Sequence, residues 1–343
     1  MNYLLLIFLI FSILLINYFL IKKNYLPSMS GDIHQKFTLN NSIPLSGGIY
    51  LIIIFFIYSY NYIGLLFLFI VSIFLIGLLS DIKIINSAKL RIFLQSIVVI
   101  ILVIFFDLKI LSTRIGLLDK VLEFNYINYL FVTFCILIII NGTNFIDGLN
   151  TLVIGYYLII TTMIFNLDLF STISVDNNLI VLGIIFLSLI YILNLFNKLF
   201  LGDSGAYLLG FSYAILLINI FDKNGNVSPF FILLLLWYPG FEILFSIIRK
   251  NNNKNSPFLP DTNHLHQIIF VYLNKTFFKK KIYANLISAN IINLYNIIIF
   301  CIAIIDVSKT NLQAGLILFN IFTYITVYLI LKKKLKILLS SNS

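Results

Sequence analysis

Charge is scarce in this 343-residue chain: only 10% of its residues are charged, against 61% that are hydrophobic. With a mean hydropathy of +1.04, that scarcity excludes a soluble globular domain. Cysteine is nearly absent as well. The two present, Cys135 and Cys301, sit inside apolar runs, which excludes a disulfide framework and any cysteine-based metal spacing. No basic residue precedes the first apolar run and no small-residue cleavage site follows it; Lys22 and Lys23 come directly after. That run therefore reads as a retained span rather than a secretory signal. An internal repeat relating the two halves is also missing, which counts against a transporter or flippase, the main non-enzyme alternative.

Apolar runs of membrane-spanning length are abundant. Eleven are expected, at about 2–21, 46–60, 62–79, 92–107, 126–141, 152–166, 179–196, 205–221, 229–248, 284–305 and 311–331. The second and third are parted only by Ser59–Asn61. The fold class expected is all-α, a single polytopic membrane domain over residues 1–343 with its amino terminus outside and its carboxyl terminus cytoplasmic. The orientation comes from lysine and arginine. Of 23 basic residues, 18 fall on the inner side, in 22–45, 80–91, 197–204, 249–283 and the tail, while seven of the 13 acidic residues fall outside. The net charge of +10 thus forms a cytoplasmic collar able to hold anionic lipid headgroups and requires no nucleic acid.

Every polar cluster with chemical promise falls on that same side: PLSGGIY (44–50), GLLSDIK (77–83), NGTNFIDGLN (141–150), LFLGDSGAYLLG (199–210) and SPFLPDTNHLHQ (256–267). A carboxylate at the centre of a membrane helix costs roughly 2.5–3.5 kcal/mol, so Asp203 is a functional candidate by default. Gly202 and Gly205 beside it permit a tight turn and a close ligand approach. Asn141, Asn144 and Asp147 are spaced by three and share one face if the helix continues. Their hard oxygens suit Mg²⁺, which takes few protein ligands plus substrate phosphate. Amides at Gly47 and Gly48 open a helix and offer an anion site. His264 and His266 lack a third ligand for zinc; contact with a diphosphate fits the rest of the face better.

Together these residues resemble the polyprenyl-phosphate N-acetylhexosamine-1-phosphate transferases. The resemblance rests on Pro44, Gly47 and Gly48; on Asn144, Phe145, Asp147 and Gly148; on Phe200, Gly202, Asp203 and Gly205; and on Pro260, Asp261, His264 and His266. It implies that a lipid phosphate, undecaprenyl phosphate, attacks a UDP-N-acetylhexosamine and releases UMP at the inner face of the cell membrane, beginning a surface polysaccharide. By the same resemblance Asp203 is the ligand of Mg²⁺ (or Mn²⁺), with Asn144 close to the metal. Phe200 stacks on uracil, Asn150 meets the base edge, and Asp147 and Gly202 line the nucleotide pocket. His264 and His266 close over the diphosphate and sugar, Arg249 and Lys250 face the sugar phosphate, and Asp81 positions the nucleophile. A homodimer is allowed.

Three departures stand out. Ser80-Asp81 replaces an aspartate pair, Asn150-Thr151 replaces an aspartate and glycine, and Gln267 replaces the last histidine. A phosphate monoester is largely dianionic at cytoplasmic pH, so loss of one carboxylate at position 80 argues against an obligatory base there. The phospho-MurNAc-pentapeptide translocase is the nearest enzymatic alternative. Its usual histidine triplet differs from HLHQ, which favours a simple N-acetylhexosamine or deoxy derivative as donor.

Overall fold

The computed structural model describes residues 3–23, 25–26, 43–58, 64–173, 175–252 and 263–340. Ser59–Asn61, Pro260 and Asp261 lie outside the described residues, as does most of the 22–45 segment. Among the described residues the chain is entirely helical, with fourteen α-helices, one 3₁₀ turn and no strand. In a hydrocarbon setting that outcome is expected, since a helix satisfies its backbone polar groups within one segment.

The helices run in order as α1 (Tyr3–Lys23), α2 (Gly47–Tyr58), α3 (Leu66–Asp81), α4 (Ala88–Phe105), α5 (Gly116–Leu122), α6 (Asn125–Ile146) and α7 (Leu152–Asn166). After the 3₁₀ turn Ser171–Ile173 come α8 (Asn177–Leu195), α9 (Gly202–Lys223), α10 (Pro229–Leu235), α11 (Trp237–Asn252), α12 (Leu265–Thr276), α13 (Lys281–Ala303) and α14 (Thr310–Ser340). Each of the eleven expected runs has most of its described residues on a helix, and the ninth is divided between α10 and α11. By length and composition, six helices can cross a membrane: α4, α6, α8, α9, α13 and α14. A seventh is added if α10 and α11, bent by 74° at their break, count as one span; α2, α3 and α7 are apolar but shorter.

Start signals act locally at several ends. Ser87 caps α4, accepting from the Leu90 amide, and Asp176 caps α8, accepting from Asn178. Ser228 caps α10 with Pro229 at its first position, where the missing N–H is not needed.

α9 is the axis of the molecule. In its spanning window 72% of residues are buried, against 17% in α14. It packs most extensively on α3 and α6, and next on α2. Small residues allow this. A Cβ at Gly48 would stand 2.7 Å from the Gly205 amide nitrogen, and one at Gly210 would stand 2.8 Å from the Ile139 carbonyl oxygen.

Buried asparagines fasten the elements around this axis to one another. Asn150 donates to the Asn194 carbonyl at 3.1 Å and to Asn197 Oδ1 at 2.6 Å, and its own amide donates to Asn285 at 2.9 Å. Asn293 donates to the Thr151 carbonyl, and Trp237 donates to Asn296. Thr151 holds a left-handed φ of +68°, an uncommon conformation for a β-branched residue.

Candidate active site

The site begins where α9 begins. Gly202 has φ +73°, and a Cβ there would stand 2.8 Å from Asp81 Oδ2. Glycine therefore serves two needs at once, a left-handed turn and room for a carboxylate from α3. That carboxylate caps the helix from outside. Asp81 Oδ1 accepts from the Asp203 amide at 2.8 Å, and Oδ2 accepts from the Ser204 amide at 3.1 Å and its hydroxyl at 2.7 Å. Leu201, the residue in the cap position, provides no side-chain bond. An acceptor at this place stabilises a helix by about 0.5–2 kcal/mol, and its negative charge complements the dipole.

With its backbone held in this way, the Asp203 side chain faces three donors. Oδ2 accepts from Ser80 Oγ at 2.6 Å and from Arg91 Nη1 at 2.5 Å; Oδ1 accepts from Asn144 Nδ2 at 2.9 Å. Arg91 Nη1 also lies 2.7 Å from Ser80 Oγ. The Arg91 and Asp203 side chains retain 24% and 26% exposure, so the pair is half-sheltered yet reachable by a ligand. Asp147 lies just beyond the end of α6. Burial, and behind it the carboxylates of Asp203 and Asp81, hold its carboxyl well above the usual carboxylate range.

α6 stays helical to Ile146, so Asn141 and Asn144 share a face as their spacing predicts. They serve different neighbours: Asn144 reaches Asp203, while Asn141 donates to Gln95 of α4 at 2.9 Å.

The end of α6 also meets the histidines. The Phe145 ring lies edge-on to His264 with centroids 5.3 Å apart, His264 stacks on His266 at 5.7 Å and 14°, and Lys250 Nζ sits 5.8 Å over Phe145. A Cβ at Gly148 would meet His266 Nε2 at 2.5 Å, so a side chain there would displace that ring. One helix end thus joins two clusters, with Asn144 turned to Asp203 and Phe145 with Gly148 turned to the histidines.

Several expected placements are corrected. The Gly47 and Gly48 amides are not offered to an anion, because they donate to the Phe200 and Leu201 carbonyls at 3.0 and 3.2 Å. The close approach at Gly202 and Gly205 admits Asp81, Leu201 and the α2 backbone rather than a ligand. Both hydrogens of the Asn150 side-chain amide are committed to Asn194 and Asn197. The roles expected of Phe200, half-buried with its backbone pairing with Pro44 and Gly47, and of Arg249, which donates to Ser246 at 3.2 Å, stand as expectations.

Two residues join the site unannounced. Arg91 belongs to the basic count of the 80–91 loop, yet it stands four residues before Gln95 on one face of an otherwise apolar helix. Glu242 lies within the apolar run 229–248 and contacts His264. Each carried a signal: an ionisable or amide group isolated in hydrocarbon.

As for a metal, no group of three or more His, Cys, Asp or Glu side chains among the described residues is placed to hold one. An all-protein cage is therefore not built. Magnesium is commonly bound through one or two carboxylates while substrate phosphates and waters complete the shell; the half-sheltered carboxylate here is Asp203, to which Asn144 donates through Nδ2.

Sequence comparison places these residues in a known context. The family described as Glycosyl transferase family 4 matches residues 62–221, a stretch holding Ser80, Asp81, Arg91, Asn144 and Asp203. That stretch, a little under half of the chain, is similar to glycosyl transferase family 4. Similar proteins include a probable undecaprenyl-phosphate N-acetylglucosaminyl 1-phosphate transferase of Bacillus subtilis, 28% identical over 58% of this chain and 56% of that protein. Another is the undecaprenyl-phosphate alpha-N-acetylglucosaminyl 1-phosphate transferase of Thermotoga maritima, 27% identical over 66% of this chain and 68% of its own length. A third, of the same name from Escherichia coli O157:H7, is 28% identical over 57% of this chain and 54% of its length. The match thus spans little more than half of two of these relatives. The histidine cluster lies outside the stretch that matches the family description.

Proposed function

We propose that this chain transfers an N-acetylhexosamine 1-phosphate, or a deoxy derivative, from a UDP-sugar to undecaprenyl phosphate and releases UMP. The observation that carries this reading is the Asp203 cluster: two carboxylates, an arginine, a serine and an amide gathered at the ends of apolar helices, inside the family-matched stretch. In the reaction an oxygen of the lipid phosphate bonds to the sugar-bearing phosphorus. The bond from that phosphorus to the UMP oxygen breaks, and UMP leaves with the electron pair.

The acceptor is dianionic near neutral pH and needs positioning more than deprotonation. Ser80 in place of a carboxylate is consistent with that, since it adds no negative charge beside the incoming phosphate. Arg91 can turn part of its guanidinium from Asp203 to a phosphate oxygen, a geometry to which the planar fork is suited. His264 and His266 then meet the diphosphate from the opposite side of the α6 terminus. Asp203 and Asn144 would hold magnesium, which when bound neutralises charge on the diphosphate.

An open apolar groove between α4 and α6, about 370 Å³, is lined by Phe93, Ile97, Ile100, Leu130, Phe134 and Leu137. Its apolar lining suits the acceptor's polyprenyl chain. The reading places the site on the cytoplasmic face of the inner membrane, with the amino terminus outside, as the positive-inside rule requires.

The test is UMP release from membranes given undecaprenyl phosphate and each of UDP-GlcNAc, UDP-GalNAc, a UDP-6-deoxy-N-acetylhexosamine and UDP-MurNAc-pentapeptide. Release with one of the first three supports the reading. Release with the pentapeptide donor alone refutes the simple-sugar assignment, and release with none refutes the transferase reading.

A further inference from the structure

Glu242 brings a carboxylate into the helix interior with no solvent exposure, and the transfer chemistry above leaves it without a task. Its two oxygens have separate partners. Oε1 lies 2.9 Å from His264 Nδ1, and Oε2 accepts from the Tyr324 hydroxyl at 2.8 Å. Three segments therefore meet at one side chain: α11, the residue that opens α12, and α14. His264 is itself buried at 5% exposure, held between Phe145 and His266.

Taking a carboxylate out of water costs several kcal/mol. If these helices needed only a clamp, an amide would hold both partners without that cost. A glutamine here could face the pair in two ways: carbonyl on the Tyr324 hydroxyl with NH₂ donating to His264 Nδ1, or, flipped, carbonyl accepting from Nδ1–H with NH₂ donating to the Tyr324 oxygen. The hydrogen-bond count would be unchanged. What would be lost is the single answer for the imidazole proton, because a carboxylate demands it on Nδ1 through either oxygen, whereas glutamine forbids it there in one orientation and accepts it in the other.

We propose that Glu242 is a positioning residue: it keeps the proton of His264 on Nδ1, so that Nε2 is the nitrogen presented to the substrate diphosphate. Tyr324 occupies the second oxygen and fixes the carboxylate in that orientation, which makes α14 a working part of the site. The assignment rests on reading His264 as a diphosphate contact.

The test uses the full-length protein in nanodiscs with ¹⁵N-labelled histidine. The chain has three histidines, His34, His264 and His266, and His264→Gln identifies the signals of His264 by their loss. The wild type is expected to show Nδ1–H alone at His264, and Glu242→Gln is expected to show a substantial Nε2–H population beside it. In that variant kcat for UMP release falls on the order of 10- to 10⁴-fold, the span seen when a histidine loses its orienting partner, while thermal stability is nearly kept. The double variant Glu242→Gln/Tyr324→Phe recovers part of the loss, because the glutamine carbonyl is then free to rotate toward His264.

Nε2–H in the wild type overturns the proposal. So does a Glu242→Gln protein whose proton moves with no change in rate, or a double variant slower than the single, which would leave Glu242 as a clamp. If the wild type releases no UMP from any donor, the transferase reading fails, and the nitrogen signals still decide whether Glu242 sets the tautomer.

Discussion

The contact between Gly77 and the first turn of α9 sets a sharp test of how the site is built. A Cβ at position 77 would stand 2.4 Å from Ser204 Cα, 2.6 Å from Ser204 N and 2.9 Å from the carbonyl carbon of Asp203. All three are backbone atoms, so no rotamer change relieves the overlap. Restoring a carbon–carbon contact of about 3.5 Å requires α3 and α9 to separate by roughly 1 Å. Overpacking of this kind costs about 1–3 kcal/mol. The separation also draws the Asp203 and Ser204 amides off Asp81 and shifts Asp203 against Asn144, now at 2.9 Å. A misplacement of about 1 Å can cost on the order of 10²-fold in rate. Gly77→Ala should therefore lower both the thermal midpoint and UMP release, the latter by about 10²-fold. Gly315→Ala on α14, where a Cβ meets nothing within 4 Å, is the control and should leave turnover unchanged. A Gly77→Ala protein with wild-type midpoint and rate would refute the account.

Other outcomes follow from the same geometry. Asp203→Asn removes the charge that pairs with Arg91 and should cut UMP release by at least about 10²-fold with the protein still inserted; Asn144→Ala should be milder, and turnover near wild type in Asp203→Asn contradicts the assignment. Asp81→Asn leaves one acceptor oxygen where two serve the α9 amides, so the melting temperature should drop by the equivalent of about 1–2 kcal/mol, and an unchanged midpoint removes the capping role. For topology, cysteines placed at positions 224 and 341 should label from opposite sides of the membrane; labelling from one side sinks the orientation.

Legibility in the sequence tracked isolation. Asp203 stands out because it interrupts hydrocarbon between two glycines, and the helices stand out because their apolar runs are long. Glu242 obeys the same rule as Asp203, yet one acid in a run of twenty does not disturb its average, so the run reads as a span and the residue disappears into it. Arg91 is hidden differently: as one of three basic residues in its loop it reads as collar, and only its spacing from Gln95 betrays an inward face. The Gly47 and Gly48 amides could not be read at all, since the Phe200 and Leu201 carbonyls that absorb them lie some 150 residues away in the chain. Thr151 is legible as a departure from a glycine, but its left-handed φ of +68° explains why glycine would suit the place and why Asn194 and Asn293 grip its backbone.

The burial of α9 has a bearing on how this protein fails. Amides on an element enclosed by α2, α3 and α6 exchange with water only when the whole assembly opens. The Asp203 half of the site is thus guarded by the global stability of the fold. His264 opens the twelve-residue α12, which packs chiefly on α13 and α14 rather than on α9, and a smaller fluctuation releases it. Under gentle heating the two halves should part company in time: hydrogen exchange should reach α12 early and α9 last, and turnover should vanish while the helical signal is still intact. Inactivation short of melting would then be reversible on cooling, because the part that takes longest to assemble has never come apart.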